Sequence, residues 1–309
     1  MIGKPRINKS DFVHTAGMDK NERTEEFAPN EEKANNTEYI AREKEREKAI
    51  VIIGASSGIG YETALRLLGR GFAVSNISRT PCTLDRVRNF RADVSAGNSL
   101  EKAIGEAAAA TGNELHALVY CAGFSMAAPI EYADEKDYRY LFDVNYFGAV
   151  RAIQAAVPFM KERGGRIVLV SSMGGLFPVA FDSFYSASKA AIDMLVKGAA
   201  LELEPYGIRV CSVQPGGTST AFTFKRKVYG DAENGEYAEK VKLAASALAE
   251  MEQGGMSAGE VARSVADAVC GKNPPLLLQC GGWNKFYAMA KRVLPDKTTQ
   301  YINKKMYKQ

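Results

Sequence analysis

"AIVIIGASSGIGYETALRLLGRG", residues 49–71, decides the fold. Its first five residues form a continuous apolar run of strand length, as expected of a strand buried on both faces. A glycine-rich turn follows, with Gly54, Gly58 and Gly60, and then "YETALRLLGRG", whose apolar residues recur at helical spacing before a glycine stop. Glycines allow a tight turn and close approach to the backbone. The free N–H groups and positive dipole end of the helix behind them suit a pyrophosphate. The spacing is G-x3-G-x-G, not the commoner G-x-G-x-x-G, and tight packing alone is the competing reading of such a turn.

The alternation repeats downstream. Apolar runs at "FAVSNI", "ALVYCA", "RIVLVSS" and "IRVCSVQP" are separated by helical patterns such as "SLEKAIGEAAAA" and "YLFDVNYFGAVRAIQAAVPFMKER". Fully apolar strands alternating with helices imply a parallel sheet covered on each side, a doubly wound α/β (Rossmann) fold. The expected organisation is a polar, charged tail over 1–48, disordered apart from a short helix at its end, and a single domain over 49–282. A basic amphipathic helical extension over 283–309 completes it. A start downstream, for example at Met18, is a second reading of the tail. Between Arg79 and Asn89 there is no room for a full crossover helix, so a turn or one helical turn is expected.

The chain has 309 residues, 46% apolar and 25% charged, the composition of an ordinary globular protein. Its net charge of +4 is uneven. Residues 283–309 hold Lys285, Lys291, Arg292, Lys297, Lys304, Lys305 and Lys308 against Asp296 alone. Cys82, Cys121, Cys211, Cys270 and Cys280 show no CxxC pairing, which suits reduced thiols in a cytoplasmic protein. His14 and His116 cannot build a metal site alone, and no apolar run is long enough for a signal peptide or membrane span.

With its glycine spacing, "GASSGIG" resembles the turn of the short-chain dehydrogenase/reductase family, and the resemblance continues to about residue 295. It implies cofactor contacts from Gly54, Ser56, Ser57, Gly58, Ile59 and Gly60. The end of the second strand in that family selects the cofactor, an acid for NAD and an arginine for the NADP phosphate. Here "NISRTP" puts Arg79 beside Ser78, with no carboxylate to repel a phosphate, so NADP(H) is expected in preference to NAD(H). "ADVS" carries the adenine contact to Asp93 and Val94. "YCAG" keeps Ala122 and Gly123 of the family's N-N-A-G but has Tyr120 and Cys121 for the asparagines. "QPGGTSTAF" matches the P-G-x-x-x-T segment, implying nicotinamide and phosphate contacts near Pro215, Gly216, Thr218 and Thr220.

Reducing a ketone by hydride needs a proton donor at the oxygen, a group that polarises it, and a means of acidifying the donor. Tyr185 can be the donor; a free tyrosine has a pKa of about 10 and needs its phenolate stabilised. Lys189, four residues on, shares its helix face and can lie near that oxygen and the cofactor ribose. Ser172 stands thirteen residues before Tyr185 at a strand end, the interval found in the family, which selects it over Ser171. Asn145 matches the family's fourth member, which holds a water behind the lysine. The resemblance thus implies a tetrad of Asn145, Ser172, Tyr185 and Lys189, of which Asn145, Tyr185 and Lys189 also reach the cofactor.

Residues 221–256 are a long insertion containing Phe222, Phe224, Tyr229, Tyr237, Leu243, Leu248 and Met251, expected either to form a lid over a bulky hydrophobic substrate or to cover the core. The tail, with "LP" before a basic helix, resembles hydroxysteroid and retinol dehydrogenase-like members. Trp283, Phe286, Tyr287, Ala290, Val293 and Leu294 recur at helical spacing. Packing beside the substrate entrance is the expected role, a weak peripheral membrane contact the second reading. The expected function is NADP(H)-dependent interconversion of a hydrophobic, steroid-like secondary alcohol and its ketone by a homo-oligomer, with no nucleic-acid partner. A 3-oxoacyl-thioester reductase and a non-catalytic NADP(H) sensor are the alternatives.

Overall fold

The computed structural model describes residues 48–223, 226–229 and 235–306. All of the expected tail but Lys48, its short helix included, lies outside the described residues, as does Phe224 of the insertion. Seven parallel strands form one sheet: β1 (Ala49–Ile53), β2 (Ala73–Ser78), β3 (Arg88–Arg91), β4 (Ala117–Tyr120), β5 (Gly165–Val170), β6 (Ile208–Gln214) and β7 (Leu277–Gln279). Their order is β7-β6-β5-β4-β1-β2-β3. The winding therefore reverses between β1 and β4, which pair in register from Ile50 opposite Ala117 to Ile53 opposite Tyr120. In open parallel sheets a ligand crevice opens at such a reversal, beyond the carboxyl ends of the strands.

Every residue of β1 is buried because the sheet is covered twice. Val51, Ile53 and Leu118 point to one layer, where Ile104 of α2 (Ser99–Ala109), Ala152 of α4 (Gly148–Ala156) and Val196 of α5 (Ser183–Leu203) meet them. Ile50, Ile52 and Val119 point to the other, against Leu67 of α1 (Gly58–Gly69) and Val261 and Val265 of α7 (Ala258–Cys270). Each such side chain contributes roughly 1.5–3 kcal/mol through burial. The two layers fix the strand register, since a slip of one residue would exchange them.

Two elements differ from the sequence reading, β3 and the long helical pattern after it. β3 is a short, largely exposed edge strand, "RNFR", with no apolar run to announce it. The expected link before it is a turn without a helix. The helical pattern from Tyr140 to Arg163 is interrupted: α3 (Glu135–Phe142) passes into a π-helical turn over Asp143–Phe147 before α4, which ends at Ala156 ahead of Pro158. The buried Tyr120 hydroxyl donates to the Val144 carbonyl inside that turn at 2.6 Å. Gly148 leaves the room it needs, since a Cβ there would lie 2.3 Å from that hydroxyl.

The C-terminal extension is two helices, α8 (Gly282–Lys291) and α9 (Asp296–Met306), separated at Pro295. Between β6 and α7 the insertion forms a short strand at Lys227–Val228, paired with Met126–Ala127, and α6 (Ala238–Gln253). No described helix is long and apolar enough to cross a membrane.

Candidate active site

One cavity of about 740 Å³ opens at the sheet's carboxyl edge, and the residues singled out in the glycine turn all line it. Gly54 has φ +93°, a backbone conformation that disfavours any side chain, and its N–H donates to the Ile77 carbonyl at 3.0 Å. Gly60 has no room for one: a Cβ there would lie 2.2 Å from the Gly54 carbonyl oxygen. Buried Asn76 of β2 holds the turn from beneath, its Oδ1 accepting from the Ala55 N–H at 2.9 Å and its Nδ2 donating to Asn89 of β3 at 2.8 Å. The Ser57 side chain makes no capping bond to α1, so it leaves the helix's first N–H groups uncapped where Ser57, Gly58 and Gly60 line the cavity.

Arg79, Asp93 and Val94 line one end of the cavity. Arg79 is exposed, lies 3.9 Å from an Asp93 oxygen, and donates to the Tyr140 hydroxyl at 3.3 Å. Hydrogen bonds from Ser95 hold the Asp93 carboxyl below its ordinary value, with the Arg79 charge adding to them. Ala122 and Gly123 lie beside the glycine turn: a Cβ on Gly54 would come within 3.1 Å of the Ala122 nitrogen. Pro215, Gly216, Thr218 and Thr220 line the opposite wall. There Thr218 donates to the Gly216 carbonyl at 3.0 Å, and Thr220 accepts from the Phe222 N–H at 3.2 Å.

Ser172, Tyr185 and Lys189 meet on the cavity wall between these ends. Burial pushes the Tyr185 hydroxyl above its ordinary value, so it stays protonated; hydrogen bonding to Ser172 opposes the shift, and Asp182 and Glu252 add to it. The two adjacent serines are thereby told apart. Ser171 is buried and donates to the Lys189 carbonyl at 3.1 Å, while Ser172 accepts from the Gly174 N–H and faces Tyr185. Lys189 is buried, donates to the Val170 carbonyl at 2.9 Å, and lies 5.6 Å from the Tyr185 ring centre. Burial pulls its ammonium down to about 8, against the opposing attraction of Asp193 one turn along α5.

Asn145 differs from its partners: it is buried behind the wall and does not line the cavity. Its Oδ1 accepts from the Phe124 N–H at 3.0 Å, and its Nδ2 donates to the Phe124 carbonyl and to Ser188. Asn145 and Lys189 converge on Gly123, whose Cβ would lie 3.1 Å from the asparagine oxygen and 3.5 Å from the lysine nitrogen.

The far end of the cavity holds groups the sequence reading passed over. Ser125, Asp182, Arg226 and Glu252 all line it. Ser125 donates to Asp182 at 2.5 Å, and Arg226 donates to Ser125 at 2.9 Å and to Glu252 at 2.5 Å. Arg226 and Glu252 belong to the insertion, where apolar residues drew attention instead. Of those, Phe222, Leu248 and Met251 line the cavity, while Leu243 is exposed and Tyr237 packs edge-on to Tyr132.

The expected apolar stripe of the C-terminal extension is likewise divided. Tyr287, Ala290 and Leu294 line the cavity, whereas Trp283, Phe286 and Val293 point outward, Trp283 being 76% exposed. No group of acidic, histidine or cysteine side chains among the described residues could hold a metal ion.

The profile of the short chain dehydrogenase family matches residues 48–228. A 3-ketodihydrosphingosine reductase of Bacteroides thetaiotaomicron is 32% identical over 84% of this chain and 97% of its own length. Estradiol 17-beta-dehydrogenase 2 of Mus musculus is 26% identical over 84% of this chain and 74% of its own. A short-chain dehydrogenase from Streptomyces avermitilis, 30% identical, superposes with a TM-score of 0.70 over 84% of this chain and 96% of its own.

Proposed function

The chain belongs to the short-chain dehydrogenase/reductase family, and on that premise we propose that it interconverts a hydrophobic secondary alcohol and its ketone with NADP(H). Members of the family are oxidoreductases acting on CH–OH or carbonyl groups with a nicotinamide dinucleotide. The observation that carries the proposal is the meeting of Ser172, Tyr185 and Lys189 on the wall of the cavity that the glycine turn also lines. The turn fits a dinucleotide: a helix N-terminus without a side-chain cap, and glycines that close approach requires. When bound, the reduced nicotinamide supplies the hydride.

The chain's own residues do the rest. Ser172 orients the carbonyl oxygen, and Tyr185, held protonated, donates the proton to it. Lys189 stabilises the phenolate left behind, and Asn145 fixes the loop at Phe124 beside the lysine. Arg79 supports a preference for NADP(H): among the described residues its guanidinium engages only a phenol and a distant carboxylate, so it is available to a phosphate.

Phe222, Leu248 and Met251 give the substrate end apolar walls, and α6 with α8 forms the lid. These walls suit a lipid-like ketone. A long-chain keto lipid stands beside the steroid-like substrate read from sequence, because the Bacteroides relative is matched over nearly its whole length. Exposed Phe147, Met194 and Leu201, the last 75% exposed, support self-association through the π turn that carries Asn145 and through α5. The outward Trp283, Phe286 and Val293 among basic residues support docking of the entrance on an anionic lipid surface. Five unpaired cysteines fit the reducing cytoplasm.

NADPH oxidation measured with long-chain aliphatic ketones, steroid ketones and acetoacetyl thioesters tests the reading. Turnover on either hydrophobic ketone class supports it. Turnover on the thioester alone makes the protein a 3-oxoacyl-thioester reductase, and NADPH binding with no turnover makes it a sensor.

A further inference from the structure

Residues 215–218, the turn after β6 expected to seat the nicotinamide, are held from three sides. The Pro215 carbonyl accepts from the Met173 N–H at 2.8 Å, next to Ser172, and the Gly217 carbonyl accepts from the Met256 N–H at 2.9 Å. On the lid side, a Cβ at Gly217 would lie 2.3 Å from the Met251 carbonyl oxygen of α6. The third side is the C-terminal extension. A Cβ at Gly216 would lie 2.7, 2.9 and 3.2 Å from Nδ2, Oδ1 and Cγ of Asn284, so the flat amide of that side chain rests directly on the Gly216 backbone.

Asn284 is itself fixed from behind. Its Nδ2 donates to the Cys280 carbonyl at 2.6 Å, the Cys280 N–H donates to the Gln214 carbonyl at 3.1 Å, and Gln214 immediately precedes Pro215. Gln279 donates to the Gln214 side chain at 2.6 Å, tying β7 to β6 at the same level. These contacts close a ring from the turn to Cys280, from Cys280 to Asn284, and from Asn284 back onto the turn. The amide cannot swing off Gly216 without giving up its bond to Cys280. Asn284 stands in the first turn of α8 and lines the cavity with Tyr287 and Ala290 of the same helix. An apolar side chain there could fill the space but could not fix its own direction.

We propose that Asn284 is a positioning residue for the nicotinamide: it holds Gly216, and with it the turn at 215–218, in the place where the reacting end of the cofactor is seated. The C-terminal extension would then do more than wall the substrate end. Small displacements of a reacting group cost rate, so a turn that seats one has to be held in turn. The inference rests on the NADP(H) reading and on these residues as the nicotinamide seat. Arg79, Asp93 and Val94 line the end of the cavity opposite this wall, so the adenosine half of the cofactor is independent of Asn284.

The test compares affinities, by titration calorimetry, for NADPH and for 2′-phospho-ADP-ribose, the same nucleotide without its nicotinamide. Wild type should bind NADPH more tightly than the fragment. Asn284→Ala should weaken NADPH by about tenfold and leave the fragment within about twofold, a split that general loosening of the fold does not produce. Gly216→Ala should weaken NADPH likewise. Gly216 has no positive φ, so its backbone accepts an alanine and the obstacle is the Asn284 amide. The double substitution should recover most of the NADPH affinity, the methyl group filling the space the amide leaves.

Equal affinity for the two nucleotides in wild type overturns the proposal, as does unchanged NADPH affinity in Asn284→Ala or an equal loss for both nucleotides in that variant. A double variant no better than Gly216→Ala overturns it too. No step requires turnover, so a wild type that meets these expectations and reduces no ketone sinks the reductase reading alone. A wild type that binds neither nucleotide sinks both.

Discussion

Arg79 is the residue on which cofactor choice turns. Exposed, and bonded among the described residues only to the Tyr140 hydroxyl with Asp93 at 3.9 Å, it gives up little on meeting a phosphate. A charge-assisted bond of this kind contributes about 1.5–3 kcal/mol, so Arg79→Ala should lower kcat/KM for NADPH by about 10–100-fold and leave NADH nearly unaffected. An unchanged NADPH/NADH ratio would remove Arg79 from the phosphate site. Asp182 makes a second prediction at this scale. Its folded-state pKa of about 7 lies above the roughly 3.9 of an unfolded aspartate, so the native state binds more protons between those values. The stability it contributes is complete at the acid end of that window and is lost as pH rises to about 7. Asp182→Asn lacks this slope, and its melting temperature relative to wild type should therefore rise from pH 5 to pH 8. A constant difference would contradict the shift.

At the scale of elements, the strand–turn–helix of residues 49–71 does most of the positioning. Gly60→Ala would drive a Cβ into the Gly54 carbonyl, and backbone must move to relieve it. A loss of roughly 1–3 kcal/mol of stability and about tenfold weaker NADPH binding are expected, read by denaturant titration and NADPH fluorescence. Ordinary stability with ordinary NADPH affinity would contradict the close approach.

This element was legible because its pattern is local: a buried strand, glycines at the turn, a helix with one apolar face. The Tyr185 and Lys189 spacing was legible for the same reason. β3 was not, because an edge strand needs no apolar run; nor was the π turn, which depends on Tyr120 reaching the Val144 carbonyl from β4. The Ser125, Asp182, Arg226 and Glu252 cluster draws on four separate segments, and nothing within "FDSFY" marks its aspartate as more than a helix cap.

At the scale of the whole molecule, the parallel sheet and its two helical layers follow from the apolar runs of β1, β2, β4, β5 and β6, whereas the orientation of the C-terminal helices does not. Spacing showed an apolar stripe but not which part of it would be buried, and the structure turns Tyr287, Ala290 and Leu294 inward and Trp283, Phe286 and Val293 outward. If that outer face docks on lipid, the protein should cosediment with anionic phosphatidylserine vesicles at low salt. The double substitution Trp283→Ser with Phe286→Ser should abolish cosedimentation while the NADPH-dependent rate in detergent-free buffer persists; retention by the variant would assign the face another role.

The central claim is that Tyr185 donates the proton to a carbonyl held by Ser172. It is tested most directly by kcat for NADPH-dependent ketone reduction in Tyr185→Phe, measured beside NADPH affinity. The account predicts a fall of about 10²–10⁴-fold in kcat with NADPH binding nearly intact. A variant that keeps most of its kcat would contradict it.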